Sequence, residues 1–304
     1  MKDSAINARR VHIRHASGFL LALLLALVAL SAVAAPPQPL LWRVSGTQGT
    51  VYLLGSFHML SADDYPLAPA VESAYAQADK LVFEISPELA DSPGMGLQMM
   101  QRAMLPAGTE LADVISRDTA SKLRAHIGNE AAYAAMARFK PWFINVGLAI
   151  RAMQGAGLDP ALGLDQYFMQ RARADKKASS GLEGIEEQLR AFDAAPMNEQ
   201  ELSLREALRP QSELQDDVRE LHRAWRDADL AALEQIQREE FFEKTPVTGK
   251  LVLTDRNQNW LPQMQAMLAQ PHTTLVVVGA LHLVGDAGMP ALLAEAGWQV
   301  ERLH

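Results

Sequence analysis

The chain contains no cysteine. That excludes disulfides, thiolate metal sites, a cysteine nucleophile and a lipid-modified N-terminal cysteine. Basic charge is also in short supply. Lys and Arg number 28 against 36 Asp and Glu, a formal charge of −8. Phosphate binding wants clustered Lys and Arg, so no nucleic-acid partner is expected. There is no H-E-x-x-H, which excludes a zincin-type site, and Ser56 and Ser180 do not sit in a G-x-S-x-G elbow, which disfavours a serine hydrolase. What is present is an ordinary globular composition, 49% hydrophobic and 21% charged over 304 residues, which argues against a mainly disordered chain.

Residues 1–35 carry the pattern of a signal peptide. Lys2, Arg9, Arg10 and Arg14 give a basic start, FLLALLLALVAL follows from Phe19 to Leu30, and Ala32-Val33-Ala34 fits an A-x-A cleavage site. The apolar stretch is short for a membrane span of about 20 residues. The expectation is export to the periplasm or beyond, with cleavage after Ala34 and only transient contact with a membrane; the alternative is an uncleaved anchor. Cleavage would remove those four basic residues and one acid, Asp3, leaving the mature chain more acidic still.

Residues 36–304 read as one mixed α/β domain. Apolar strands are expected over 40–44 and 50–54 around a Ser-Gly-Thr-Gln-Gly turn, over 80–86 (KLVFEIS), 178–182, 273–278 (TTLVVV) and 298–303. Helical spacing marks 66–79 and 290–296. The stretch of about 95–245 is rich in Ala, Leu, Gln, Glu and Arg and reads as a large helical insertion. The β-rich ends are expected to join in one central sheet. A separate helical domain is the alternative, but no Gly/Ser/Pro linker marks a boundary.

Two segments repeat one another. YLLGSFHML (Tyr52–Leu60) and VVVGALHLV (Val276–Val284) are each an apolar strand followed by Gly-x-x-His. If the strands are near neighbours, His58 and His282 converge on one cleft, and neutral imidazole is the commonest protein ligand for divalent metals. Glu84 stands within the apolar run LVFEIS, where a carboxylate needs a cation, a proton or a metal. Glu183 follows the 178–182 strand, at the kind of edge where sheet folds gather active sites. In RNQNW, Arg256 offers a permanent charge for a carboxylate or an oxyanion, Asn257 a donor for a carbonyl oxygen, and Trp260 packs one turn on. The structural alternative is two hydrogen-bonded histidines, with Arg256 paired to Glu84 or Glu183.

LWRVSG…VYLLGSFHML, KLVFEIS, GLDQYF, GLEGIEEQL, LTDRNQNWLPQM and VVVGALHLVGDAGMPALLAEAGWQVERL, in that order, resemble the TraB/PrgY/GumN family. The resemblance runs from about Leu40 to the C-terminus. It places the family's paired Gly-x-x-His motifs and strand glutamate on His58, His282 and Glu84. Asp165 in GLDQYF, Glu183, Arg256, Asn257 and Trp260 also fall on motif positions. The family includes the animal Tiki proteases, described as metal-dependent, which cleave Wnt proteins. The resemblance therefore implies a divalent cation (zinc, manganese or cobalt) held by His58, Glu84 and His282. Glu183 would act as proton acceptor, and Arg256 or Asn257 would steady an oxyanion. The substrate would be a peptide or protein. Some bacterial relatives are linked to peptide-pheromone control, so a peptide-binding regulator without turnover is the second expectation. A non-peptide hydrolase or esterase using a histidine base is the third.

Overall fold

The computed structural model describes residues 35–304. Residues 1–34, where a signal peptide and its cleavage site are expected, lie outside the described residues. Six strands form one sheet: β1 (Leu41–Ser45), β2 (Thr50–Ser56), β3 (Lys80–Phe83), β4 (Ala178–Gly181), β5 (Thr273–Gly279) and β6 (Gln299–Leu303). Their order is β4-β3-β5-β2-β1-β6. The first four in that order run parallel, while β1 is antiparallel to both β2 and β6. The class is mixed α/β, as expected, and strands from both ends of the chain share the sheet.

Residue alternation explains why these segments are strands. On one face Tyr52, Leu54, Leu81, Phe83, Leu275 and Val277 pack with Val71, Tyr75, Phe168 and Trp225. On the other, Val51, Leu53, Val82, Val276 and Val278 pack against Trp260, Met264, Leu268 and Leu293. Because β5 is covered on both faces, TTLVVV is apolar throughout rather than alternating. The Pro69–Gln77 and Leu164–Ala174 helices lie on the first face; the Asp255–Leu268 and Met289–Glu295 helices lie on the second. The helical middle carries a further core of its own around Leu111, Leu123, Tyr133, Ile144 and Leu204.

Some boundaries differ from the sequence reading. The helix expected from Pro66 begins at Pro69, where a proline at the first helical position loses no hydrogen bond. The strand expected over 80–86 stops at Phe83, so Glu84 lies just past the strand end rather than inside it. Ser86 caps the short Pro87–Ala90 turn of helix instead of continuing the sheet.

One buried carboxylate fastens the layer above β2. The Asp64 side chain is fully buried and accepts from the Ser61 backbone N–H at 2.7 Å and hydroxyl at 2.9 Å. His222 lies 3.0 Å away, and Arg226 pairs with the second oxygen. Next to them, the Trp225 indole donates to the Gly55 carbonyl at 2.9 Å. Burial alone would raise Asp64, but the bonds from His222 and Ser61 outweigh it and hold the carboxyl at about 2. Asp64→Ala removes the buried carboxylate that His222 and Arg226 share. We expect a loss of about 3–5 kcal/mol in urea unfolding at neutral pH. Because the folded value is depressed, this contribution is present above the ordinary carboxyl value of 3.8 and fades as pH falls toward about 2.

Candidate active site

The parallel strands β4, β3, β5 and β2 all end on the same edge of the sheet, and each delivers a chemistry-bearing residue there. Glu183 follows β4, Glu84 follows β3, His282 lies three residues beyond the end of β5 at Gly279, and His58 lies two beyond the end of β2. The two Gly-x-x-His motifs are neighbours: β2 and β5 pair directly, with Gly55 opposite Val278 and Ser56 opposite Gly279. The C-terminal edge of parallel strands is where open α/β sheets bind ligands.

Gly279 is the centre of the group. Its N–H donates to Glu84 Oε1 at 2.8 Å. A Cβ on Gly279 would lie 3.3 Å from Glu84 Oε1, 3.6 Å from His282 Cδ2 and 3.8 Å from His58 Nε2. The three residues therefore face one small space, which a side chain at Gly279 would intrude upon.

Each histidine is oriented from behind. His58 Nδ1 lies 2.7 Å from Asp165 Oδ2, leaving Nε2 toward Gly279; the His58 side chain is 66% exposed. Asp165 is brought there by backbone pairing of two distant segments. Leu60 and Asp159 exchange hydrogen bonds, and the Leu164 N–H donates to the Phe57 carbonyl at 3.0 Å. Gly163 permits this approach, because a Cβ there would lie 2.1 Å from the His58 carbonyl oxygen. His282 is buried. Its Nδ1 lies 2.8 Å from Asn257 Oδ1, and the Asn257 amide is fixed by donating to the His282 carbonyl at 3.1 Å and the Ala287 carbonyl at 2.8 Å. With Asn257 accepting, His282 carries its proton on Nδ1 and its lone pair on Nε2. Both amide hydrogens of Asn257 are used within the protein, so this residue stands behind His282 rather than offering a donor to a substrate carbonyl.

Arg256 occupies the middle of the cluster, at the start of the Asp255–Leu268 helix. Its Nη2 donates to Glu84 Oε2 at 2.6 Å and to Glu183 Oε1 at 2.7 Å. Its Nη1 donates to His282 Nε2 at 3.0 Å and to the Val252 carbonyl at 3.2 Å. Glu183 Oε2 also accepts from the Trp260 indole at 3.2 Å. Gln188, which the sequence reading did not single out, donates to Glu84 Oε2 at 3.3 Å. It sits one turn into the Ile185–Asp193 helix, and the GLEGIEEQL motif was its only signal.

The electrostatics divide the groups. The Asp165 carboxylate raises the His58 imidazole to about 9. Burial pushes His282 down to about 3, with Glu84 opposing and Arg256 assisting, so this imidazole is neutral. For Glu84, burial works toward a higher value, but the charges of Arg256 and His58 and the Gly279 N–H hold it well below the usual carboxylate range. Burial wins at Glu183, whose carboxyl is raised despite Arg256. Among the described residues, no set of three or more His, Asp or Glu stands in the arrangement of a bound cation. The guanidinium lies between the candidate ligands instead.

These motifs in this order match the model of the TraB/PrgY/gumN family over residues 40–302. The chain belongs to that family. Uncharacterized protein YbaP of Escherichia coli (strain K12) is 27% identical over 257 residues, covering 80% of this chain and 87% of that protein. YbaP of Shigella flexneri gives the same figures. An uncharacterized protein of Treponema pallidum (strain Nichols) is 22% identical over 274 residues, covering 84% of this chain and 80% of its own length. No solved structure matches the chain. In this TraB/PrgY/gumN member, no helix among the described residues is long and apolar enough to cross a membrane.

Proposed function

We propose that this chain is an exported hydrolase of peptide-type amide bonds, working at the cleft around Gly279. The observation that carries the reading is the convergence of His58, Glu84 and His282 on one point at the C-terminal edge of the parallel strands. The basic start, apolar run and Ala32-Val33-Ala34 of the targeting segment support a periplasmic or secreted location.

The donor set fits a divalent cation such as zinc, manganese or cobalt in kind. It offers two imidazole nitrogens and a carboxylate oxygen, and both Nδ1 atoms are held by outer partners as metal-ligating histidines usually are. The fit has one condition: Arg256 must leave His282 Nε2. His58, Glu84 and His282 would hold the ion, which supplies Lewis acidity and an acidified water. Glu183 would accept the proton. Its raised carboxyl suits that task, although one of its bonds from Arg256 or Trp260 must open first. Arg256 spends its N–H donors on Glu84, Glu183, His282 and the Val252 carbonyl, so the donor it could offer a developing oxyanion is the Nη1–H released when it leaves His282.

The position of Arg256 favours a second reading, in which the His58–Asp165 pair transfers the proton and no cation is required. Calorimetric metal titration and peptide turnover, measured together, separate the two. In the first, His58→Ala, Glu84→Ala and His282→Ala each lose metal binding. Glu183→Gln keeps it and loses turnover by about a hundredfold or more. If the three ligand variants bind metal as the wild type does, the cation site is wrong. If stripping metal leaves turnover unchanged, the second reading takes its place.

A further inference from the structure

The helical middle, together with the turns up to Val252, forms a half-open cavity of about 390 Å³ that shares none of the candidate active-site residues. Its volume falls within the range of small-molecule sites. The body is apolar, with Trp142, Met153, Phe192, Leu214, Val218 and Val252 among its walls. Charged residues stand around it, and both cations among them are held in ion pairs by a surplus of carboxylates. Arg209 pairs with Glu206, Glu213 and Asp217, and Lys244 pairs with Glu206 and Glu240. An anionic ligand would find no free cation there, and a cationic one would have to compete with Arg209 and Lys244 for their carboxylates. Gln200 is likewise engaged, accepting from the Trp142 N–H and donating to the Ala195 carbonyl. Asn145 and Ser203 also line the cavity, and their side chains have no hydrogen-bond partner among the described residues.

We propose that this cavity is a second binding site, for an uncharged, largely apolar small molecule carrying one hydrogen-bonding group. The apolar walls take the body of the ligand, Asn145 and Ser203 take its polar group, and the closed ion pairs select against charge. The site is also joined to the catalytic edge: Val252 forms part of its wall, and the Val252 carbonyl accepts the Arg256 Nη1–H at 3.2 Å.

The test uses the full protein, the uncharged dye Nile red as reporter, and three competitors with one chain and different heads: decanol, decanoate and decylammonium. We expect saturable one-to-one dye binding, displaced by decanol at concentrations about tenfold or more below those needed for the charged analogues, because burying an unpaired charge is costly. Ala207→Trp places a bulky ring in the cavity and is expected to weaken dye binding about tenfold, since the lost space removes the apolar contact. Ser203→Phe reads the same effect should Ala207→Trp fail to fold. Absence of saturable binding, equal displacement by the charged competitors, or folded variants that bind the dye as the wild type does would each overturn the proposal. None of these outcomes depends on whether the active site turns over peptides.

Discussion

Arg256→Met is expected to destabilise the protein by about 3–5 kcal/mol at neutral pH, because it strands two buried carboxylates around one lost cation. The Glu84 and Glu183 side chains are only 10% and 6% exposed, and the guanidinium is the cation bonded to each. In the native protein Glu84 lies below its usual 4.5, so its contribution is present above 4.5 and is lost as pH falls. Glu183 runs the other way, being raised by burial, but it too is anchored by Arg256. Without that cation, burial is opposed at Glu84 only by His58 and the Gly279 N–H, and at Glu183 only by the Trp260 indole, so both carboxyls rise. Each then favours the protonated form, so folding is helped below 4.5 and penalised as pH rises through the raised values. The stability gap between variant and wild type should therefore be widest at neutral pH and narrow on acidification. Urea unfolding across that range measures it. A gap that stays constant with pH would show that Arg256 acts through packing, for instance against the Trp260 ring 4.6 Å away, rather than through its charge.

What the sequence could and could not show follows from the range of each interaction. The sheet was legible because strand pattern is local: YLLGSFHML and VVVGALHLV read as equivalent units, and β2 and β5 are direct parallel neighbours. The burial of β5 on both faces was legible in its uninterrupted apolar run. Where strand β3 ends was not, since Glu84 and Ile85 continue the apolar-polar alternation and only the Ser86 cap turns the chain away. The orienting pairs were not legible either. Asp165 meets His58 because 57–60 and 159–164 pair through their backbones, a contact between segments about a hundred positions apart. Asn257 reads as a free donor in RNQNW, but helix docking turns its amide onto His282 and Ala287. Arg256 had two candidate partners in the sequence, and the geometry gives it both.

His58→Ala is expected to lower turnover by about a hundredfold to ten-thousandfold, whether the imidazole holds a cation or transfers a proton. Its side chain is 66% exposed and adds little packing, so the fold should survive, with a stability loss of no more than about 1 kcal/mol from the lost pair with Asp165. The companion variant Asp165→Asn keeps the size of the partner and removes its charge. Asp165 is the main cause of the raised His58 value of about 9, so the imidazole should titrate near its ordinary 6.5 in this variant. Proton NMR titration of the metal-free protein reads the change directly. An unshifted His58 in Asp165→Asn would mean that the 2.7 Å contact does not set the charge of this ring.

The central claim is that one converged site breaks peptide-type bonds, and the most direct measurement is digestion of a diverse peptide library. The purified protein, His58→Ala and His282→Ala would be compared, each with and without added zinc, manganese or cobalt. The account predicts cleavage by the wild type at defined bonds and its loss in both variants. Stoichiometric peptide capture without any product, or product formed equally by the wild type and both histidine variants, would contradict it.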